Sequence, residues 1–179
     1  DAVANIIDSM FIANETDVGD GGGINNQGIL TLSNSEISEN RSKFGGGGIF
    51  NNYKGEIIIE HSTISGNDSI EWTGGGIDND NELTITNSDI SDNTAYAKGG
   101  GIFNTENLSI TDSTISENSS TDEQGGGIFS FGNLTLNKST VSGNIAGEDG
   151  GGICNSGDLS STNSTISGNM AGQDGGGIY

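Results

Sequence analysis

The sequence predicts an all-β fold, a right-handed parallel β-helix (β-solenoid) of about seven coils of ~25 residues, with three short strands per coil. Three observations carry that expectation. Gly-Gly-Gly-Ile recurs seven times, its isoleucine at 24, 49, 77, 102, 128, 153 and 178, with spacings of 25, 28, 25, 26, 25 and 25. Between the copies, apolar and hydroxyl residues alternate with period two, as in Leu30-Thr31-Leu32 and Glu36-Ile37-Ser38, the pattern of a strand with one dry face. Two polar columns keep step with the glycines: Ser9, Ser35, Ser62, Ser88, Ser113, Ser139 and Ser164, and Asn14, Asn40, Asn67, Asn93, Asn118, Asn144 and Asn169.

Each part of the coil has a physical reason. The glycine triplet permits backbone conformations or a close approach that a Cβ would forbid. A polar turn leads to the Leu-Thr-Leu strand, an Asn-Ser corner, and the x-Ile-Ser strand, after which the asparagine closes the unit before a variable polar loop. The asparagine column supplies turn chemistry, because this residue tolerates left-handed backbone and its amides can bond along a stack. One coil has only four aliphatic positions, too few to offset chain entropy alone, so successive coils must stack and bury continuous ladders. The expected ladders run through Ile24 to Ile178, Leu30 to Leu159, Leu32 to Leu136, and Phe11 to Ile166. At a strand spacing of about 4.8 Å, seven coils make a rod on the order of 35 Å long. The strong bias of parallel crossovers predicts the right-handed winding.

Departures from the repeat carry information too. Ser161 sits in an otherwise aliphatic column and marks a soft coil. Asn52 to Glu56 holds two extra residues, and a third falls before Trp72, so the second coil should bulge there. The pattern stops mid-unit at Tyr179 with open sheet edges, which invite end-to-end or lateral self-association or continuation in a longer parent.

Composition narrows the partners. With 32 glycines, no proline and 30% hydrophobic residues, the chain would read as disordered were it not periodic. Asp and Glu number 25 against 5 Lys and Arg, a formal charge of −20 that repels nucleic acid and anionic membranes, so no nucleic acid partner is expected. The longest apolar run, Met10 to Ala13, falls far short of the ~18 residues of a membrane span, so this segment is expected not to insert. A single cysteine, Cys154, excludes an internal disulfide framework and leaves a free thiol or a crosslink between chains.

The segments Phe11-Ile-Ala-Asn14, Ile37-Ser-Glu-Asn40 and Ile64-Ser-Gly-Asn67, paired with the Gly-Gly-Gly-Ile tetrapeptides, resemble the FxxN and GGA[ILV] motifs of chlamydial polymorphic outer membrane protein repeats. They are also similar to those of large secreted bacterial β-helix proteins, and the resemblance covers nearly the whole chain. Glycine stands here where that family has alanine, and isoleucine mostly replaces phenylalanine. The resemblance implies a surface-exposed, autotransporter-type β-helical passenger with adhesive roles, and hence an extracellular or cell-surface location.

Several residue groups are candidate sites. Asp122, Glu123, Glu148, Asp149 and Asp174 gather before the glycines and could offer oxygen ligands to calcium; a merely solvated charged edge is the competing reading, because the GGxGxDxUx spacing is absent and Lys43 and Lys98 interrupt the column. No other cofactor is expected. Asp78 and Asp80 form the nearest carboxylate pair, with His61 one coil earlier. His61, however, shares a column with Asn34, Asn87 and Asn163, which points to a corner and away from catalysis. The residue after each repeat isoleucine (Phe50, Phe103, Phe129, Cys154, Tyr179) should face outward; Phe103 and Phe129 would then stack in an exposed interface patch unless a loop covers them. Outward Thr84/Thr86, Ser109/Thr111 and Thr114/Ser116 are similar to the flat hydroxyl arrays of ice-binding solenoids, with Ile58, Glu60 and Asn137 intruding. Sequons such as Asn118-Ser-Ser120 leave glycosylation open. The expectation is therefore a non-enzymatic structural or adhesive segment, such as a stalk, adhesin passenger or filament subunit, partnered by itself or by a host or glycan surface. Glycan-binding or polysaccharide-degrading activity and ice binding are the alternatives.

Overall fold

A computed structural model describes residues 2–179. The chain winds as a right-handed parallel β-solenoid whose strands pair only with their counterparts one coil away. Each coil carries four strands, exemplified by Ile29–Ser33, Glu36–Ser38, Arg41–Ser42 and Ile49–Asn51. They stack into three seven-stranded sheets and one six-stranded sheet, the last extended by a single parallel bridge from Ile153 to Ile178. The strand at Arg41–Ser42 and its copies are additional to the three strands that the alternation predicts. Each is two residues long, too short to alternate visibly, and its second position is a small buried residue in most coils: Ser42, Ser69, Ala95, Ser120 and Ala146.

The aliphatic ladders lie where the alternation puts them. Ile37, Ile49, Ile57, Ile59, Ile64, Ile77, Ile85, Ile90, Ile102, Ile110, Ile115, Ile128, Leu136, Val141 and Ile153 are fully buried in one continuous core. Burying each such side chain contributes roughly 1.5–3 kcal/mol, a gain each coil realises only against its neighbours. Ser161 pairs with Leu136 and is exposed, and Leu159 beside it is only partly buried.

Polar ladders run alongside the core. Asn93 Nδ2 donates to Ile64 O at 2.9 Å and to Asn118 Oδ1 at 3.0 Å, while Asn93 Oδ1 accepts from Asn67 N at 3.0 Å and Asn67 Nδ2 at 2.9 Å. The same exchange links Asn14, Asn40, Asn144 and Asn169. In the serine column the backbone N–H of each coil donates to the hydroxyl of the next, as from Ser62 to Ser88 Oγ at 3.1 Å. Left-handed backbone falls on the residue before the asparagine (Glu39, Asp92 and Glu117, φ 56°, 57° and 55°), not on the asparagine itself. The asparagines therefore act through their amides, satisfying buried backbone groups at the corner. A second amide ladder, Asn26–Asn51–Asn79–Asn104, joins Oδ1 and Nδ2 atoms at 2.7–2.9 Å two residues after each repeat isoleucine.

The glycine triplets form a column for two reasons. The first glycine is left-handed, φ +68° at Gly99, and a Cβ on the second would strike backbone of the next coil, as at Gly100 against Gly126 and Ser119. The insertion in the second coil is looped out without loss of register: Asn51 still pairs with Asn79 and Ile57 with Leu83, while Tyr53 projects into solvent.

Candidate functional site

The residue after each repeat isoleucine points away from the aliphatic core, as the alternation requires, yet much of that column is covered. Phe129, Cys154 and Asp78 are 2%, 3% and 4% exposed, Phe50 and Phe103 are half-buried, and Tyr179 is exposed. The cover comes from the turn before the glycines. Its left-handed glycine folds back onto the column, so that a Cβ on Gly125 would lie 2.7 Å from Phe129 Cβ, and one on Gly150 2.7 Å from Cys154 Cβ. Phe103 and Phe129 do stack, with centroids 5.6 Å apart and planes 10° apart. They are not an exposed patch, because Phe131 packs edge-on against both and Lys98 Nζ sits 4.6 Å above the Phe129 ring. Cys154 is likewise no candidate for joining chains: the thiol is buried, and desolvation, with Asp149 nearby, pushes its pKa up.

Two adjoining cavities flank Trp72, the only tryptophan, which stands 61% exposed on the second coil's enlarged loop. One, of about 260 Å³, is lined by Asp20, Gly45, Phe50, Trp72, Thr73, Asp78, Asp80 and Phe103. The other, of about 360 Å³, adds Tyr96, Lys98, Glu71, Glu123 and Phe131 around the shared Trp72, Thr73 and Phe103. Trp72 is steadied by an edge-on contact with Phe44 at 5.9 Å. The result is a cleft with aromatic walls and carboxylates in both halves, three aspartates in one and Glu71 and Glu123 beside Lys98 in the other.

Asp78 sits deepest in that cleft. Thr73 Oγ1 donates to its Oδ2 at 2.5 Å, and Gly45 leaves room for the carboxyl. Burial pushes the Asp78 pKa up to about 7, with Thr73 opposing and the charges of Asp80 and Asp20 adding to the rise. Asp80 is also raised, by desolvation first. Asp20 Oδ1 accepts from Gly45 N at 3.0 Å, and Thr105 Oγ1 reaches Asp80 at 3.4 Å. His61 does not join this group. It is a left-handed corner residue (φ 49°) lining a separate shallow groove with Asp89 and Asp112.

The acidic residues considered for calcium do not converge. Asp149 accepts from Gln124 Nε2 and Asp174 N, both at 3.0 Å; Glu123 pairs with Lys98 at 3.6 Å; Asp122 and Asp174 are exposed, and Glu148 is half-buried. Among the described residues, no three His, Cys, Asp or Glu side chains are placed to hold a metal ion. The outward hydroxyl columns are mixed as their sequence reads, Thr84 pairing with Ile58 and Thr86 with Glu60.

Sequence reasoning named Asp78, Asp80, Phe50 and Phe103 but did not bring them together, nor did it assign a role to Trp72, Thr73, Tyr96 or Phe131. A signal for the cleft lay in the 28-residue second coil, the single long spacing of the series, which carries the tryptophan. No curated protein and no solved structure shows significant similarity to the chain. A family model described as "Right handed beta helix region" matches residues 1–171. With the parallel solenoid in hand, that match over nearly the full length assigns the chain to the right-handed β-helix family.

Proposed function

We propose that this chain is a rigid, non-enzymatic segment of an extracellular structural or adhesive protein, one that holds a recognition surface at fixed spacing along a rod. The observation that supports this reading most is the stack: aliphatic, asparagine and serine ladders continue through successive coils, and the aromatic-lined cavities at Trp72 lie outside that core. A polymer built this way spends its sequence on stiffness and leaves its flank free to vary. The finer resemblance to chlamydial-type surface repeats points the same way. The test is to incubate the purified chain with immobilised extracellular matrix and glycan surfaces while assaying turnover on a panel of acidic and neutral polysaccharides. Saturable adhesion without release of reducing or unsaturated ends supports the proposal; turnover abolished by Asp78→Asn or Asp80→Asn overturns it.

The second reading, a glycan-binding or polysaccharide-degrading β-helix, is favoured by one arrangement, the Asp78–Asp80 pair beside the Trp72 and Phe103 rings. Carboxyl groups of raised pKa next to aromatic surfaces suit sugar recognition and acid–base chemistry. The same polysaccharide panel separates the two readings.

A further inference from the structure

We propose that the cavity between Trp72 and Asp78 is a binding site for a primary alkylammonium group, its alkyl stem against the Trp72, Phe50 and Phe103 rings and its N–H donors on Asp78, Asp80 and Asp20. The inference goes beyond the structural reading above and does not depend on it.

The first support is the cavity. Its titratable lining consists of three carboxyls, Asp20, Asp78 and Asp80, with no lysine or arginine, in a chain of formal charge −20. A concave site with aromatic walls and negative charge attracts organic cations through ring faces and charge-assisted hydrogen bonds. The second support is Asp78 itself. It is 4% exposed and lines the cavity; Thr73 holds Oδ2, and Oδ1 has no hydrogen-bond partner among the described residues. With Oδ1 open to the cavity and two acidic neighbours beside it, the carboxyl presents an acceptor and negative charge to a donor that enters there. Burial, with the charges of Asp80 and Asp20 adding to it, raises the Asp78 pKa against the pull of Thr73, so a cation beside the carboxyl would offset that rise.

The third support is the protein's own practice in neighbouring coils. Lys98 places its ammonium 4.6 Å from the Phe129 ring centre, 5.6 Å from that of Phe131 and 3.6 Å from Glu123. Lys43 does the same with Phe44 at 5.5 Å and Glu71 at 3.8 Å. Two internal alkylammonium groups are therefore held by a ring and a carboxylate on this flank. The cavity at Asp78 repeats those ingredients with no internal cation. No metal-binding geometry competes for it among the described residues.

Trp72 supplies the readout, because no other tryptophan contributes to the emission. The chain is titrated with n-butylammonium chloride at constant ionic strength, with n-butanol, tetramethylammonium chloride and sodium chloride in parallel. The expected result is a saturable change in Trp72 emission with n-butylammonium and at least about tenfold weaker responses to the other three. Affinity should rise with pH through about 7 as Asp78 loses its proton, the groups facing it being Asp20, Asp80 and Thr73. Asp78→Asn and, separately, the more exposed Asp80→Asn should each weaken binding about tenfold or more while leaving the circular dichroism spectrum unchanged. If Asp78→Asn disturbs folding, Asp80→Asn decides the matter alone. Equal responses to butanol and butylammonium, no saturable response, or undiminished binding by Asp80→Asn would each overturn the proposal.

Discussion

Replacing Asp78 by asparagine should change not only the stability of the solenoid but how that stability depends on pH. The folded carboxyl keeps its proton up to about pH 7, against 3.8 for the ordinary group, chiefly because it is buried. Between those values the folded chain holds a proton that the unfolded chain has released. Stability contributed by this group is therefore complete below about pH 4, falls as pH rises through 7, and levels off above it. A rise of roughly three units at 1.36 kcal/mol each sets an upper limit of about 4 kcal/mol for the loss. Asparagine keeps an acceptor for Thr73 and has no charge to bury. Asp78→Asn should thus match the parent near pH 4 and exceed it by up to about 4 kcal/mol at pH 8. Urea unfolding followed by far-ultraviolet circular dichroism at pH 4, 6 and 8 measures the difference. A stability difference that stays constant across that range would refute the account, since it would mean that Asp78 ionises alike in the folded and unfolded chains.

The ladders and turns make further predictions. Asn93→Ala removes the acceptor for Asn67 N and the donor to Ile64 O inside the rod, and should cost roughly 3 kcal/mol or more in chemical unfolding, because each orphaned buried group costs about 1–3 kcal/mol. Gly100→Ala drives a methyl group into the backbone of the following coil and should destabilise by more than about 3 kcal/mol, whereas Gly66→Ala, left-handed but meeting nothing closer than ordinary contact with Glu39 at 3.8 Å, should lose only about 1 kcal/mol; thermal melts of the two variants would show the contrast. Phe129→Ala should cost about 3–5 kcal/mol and release Lys98 from its ring, which the upfield-shifted side-chain proton signals of that lysine would report by moving toward random-coil values.

The stack was readable in the sequence because a solenoid writes each buried position once per coil, so that Ile49, Ile77 and Ile102 announce one ladder together. The same redundancy exposed the columns of Ser62 and Asn93. The two-residue strand at Arg41–Ser42 escaped notice because period-two alternation needs more than one inward residue to be visible. The amide ladder of Asn51 and Asn79 was present as a column, but proximity to the turn hid its purpose. The cleft was less legible still. Alternation correctly turned Phe129 and Asp78 away from the core, but their burial depends on how Gly125 and Gly74 fold back over them, a matter of backbone geometry and not of residue type. Asp78 and Trp72 meet through an irregular loop, and irregular loops leave no periodic trace.

The looped-out insertion beside Tyr53 has a consequence for how such a molecule can change. Because Ile57 keeps its partner Leu83 despite the added residues, the pitch of the winding is indifferent to what hangs from its side. Lengthening a connection there alters the contour offered to another molecule while the distance between successive turns is preserved. New peptide could be grafted at residues 52–55 and presented at a predetermined height, as a rung carries a load without moving the rails.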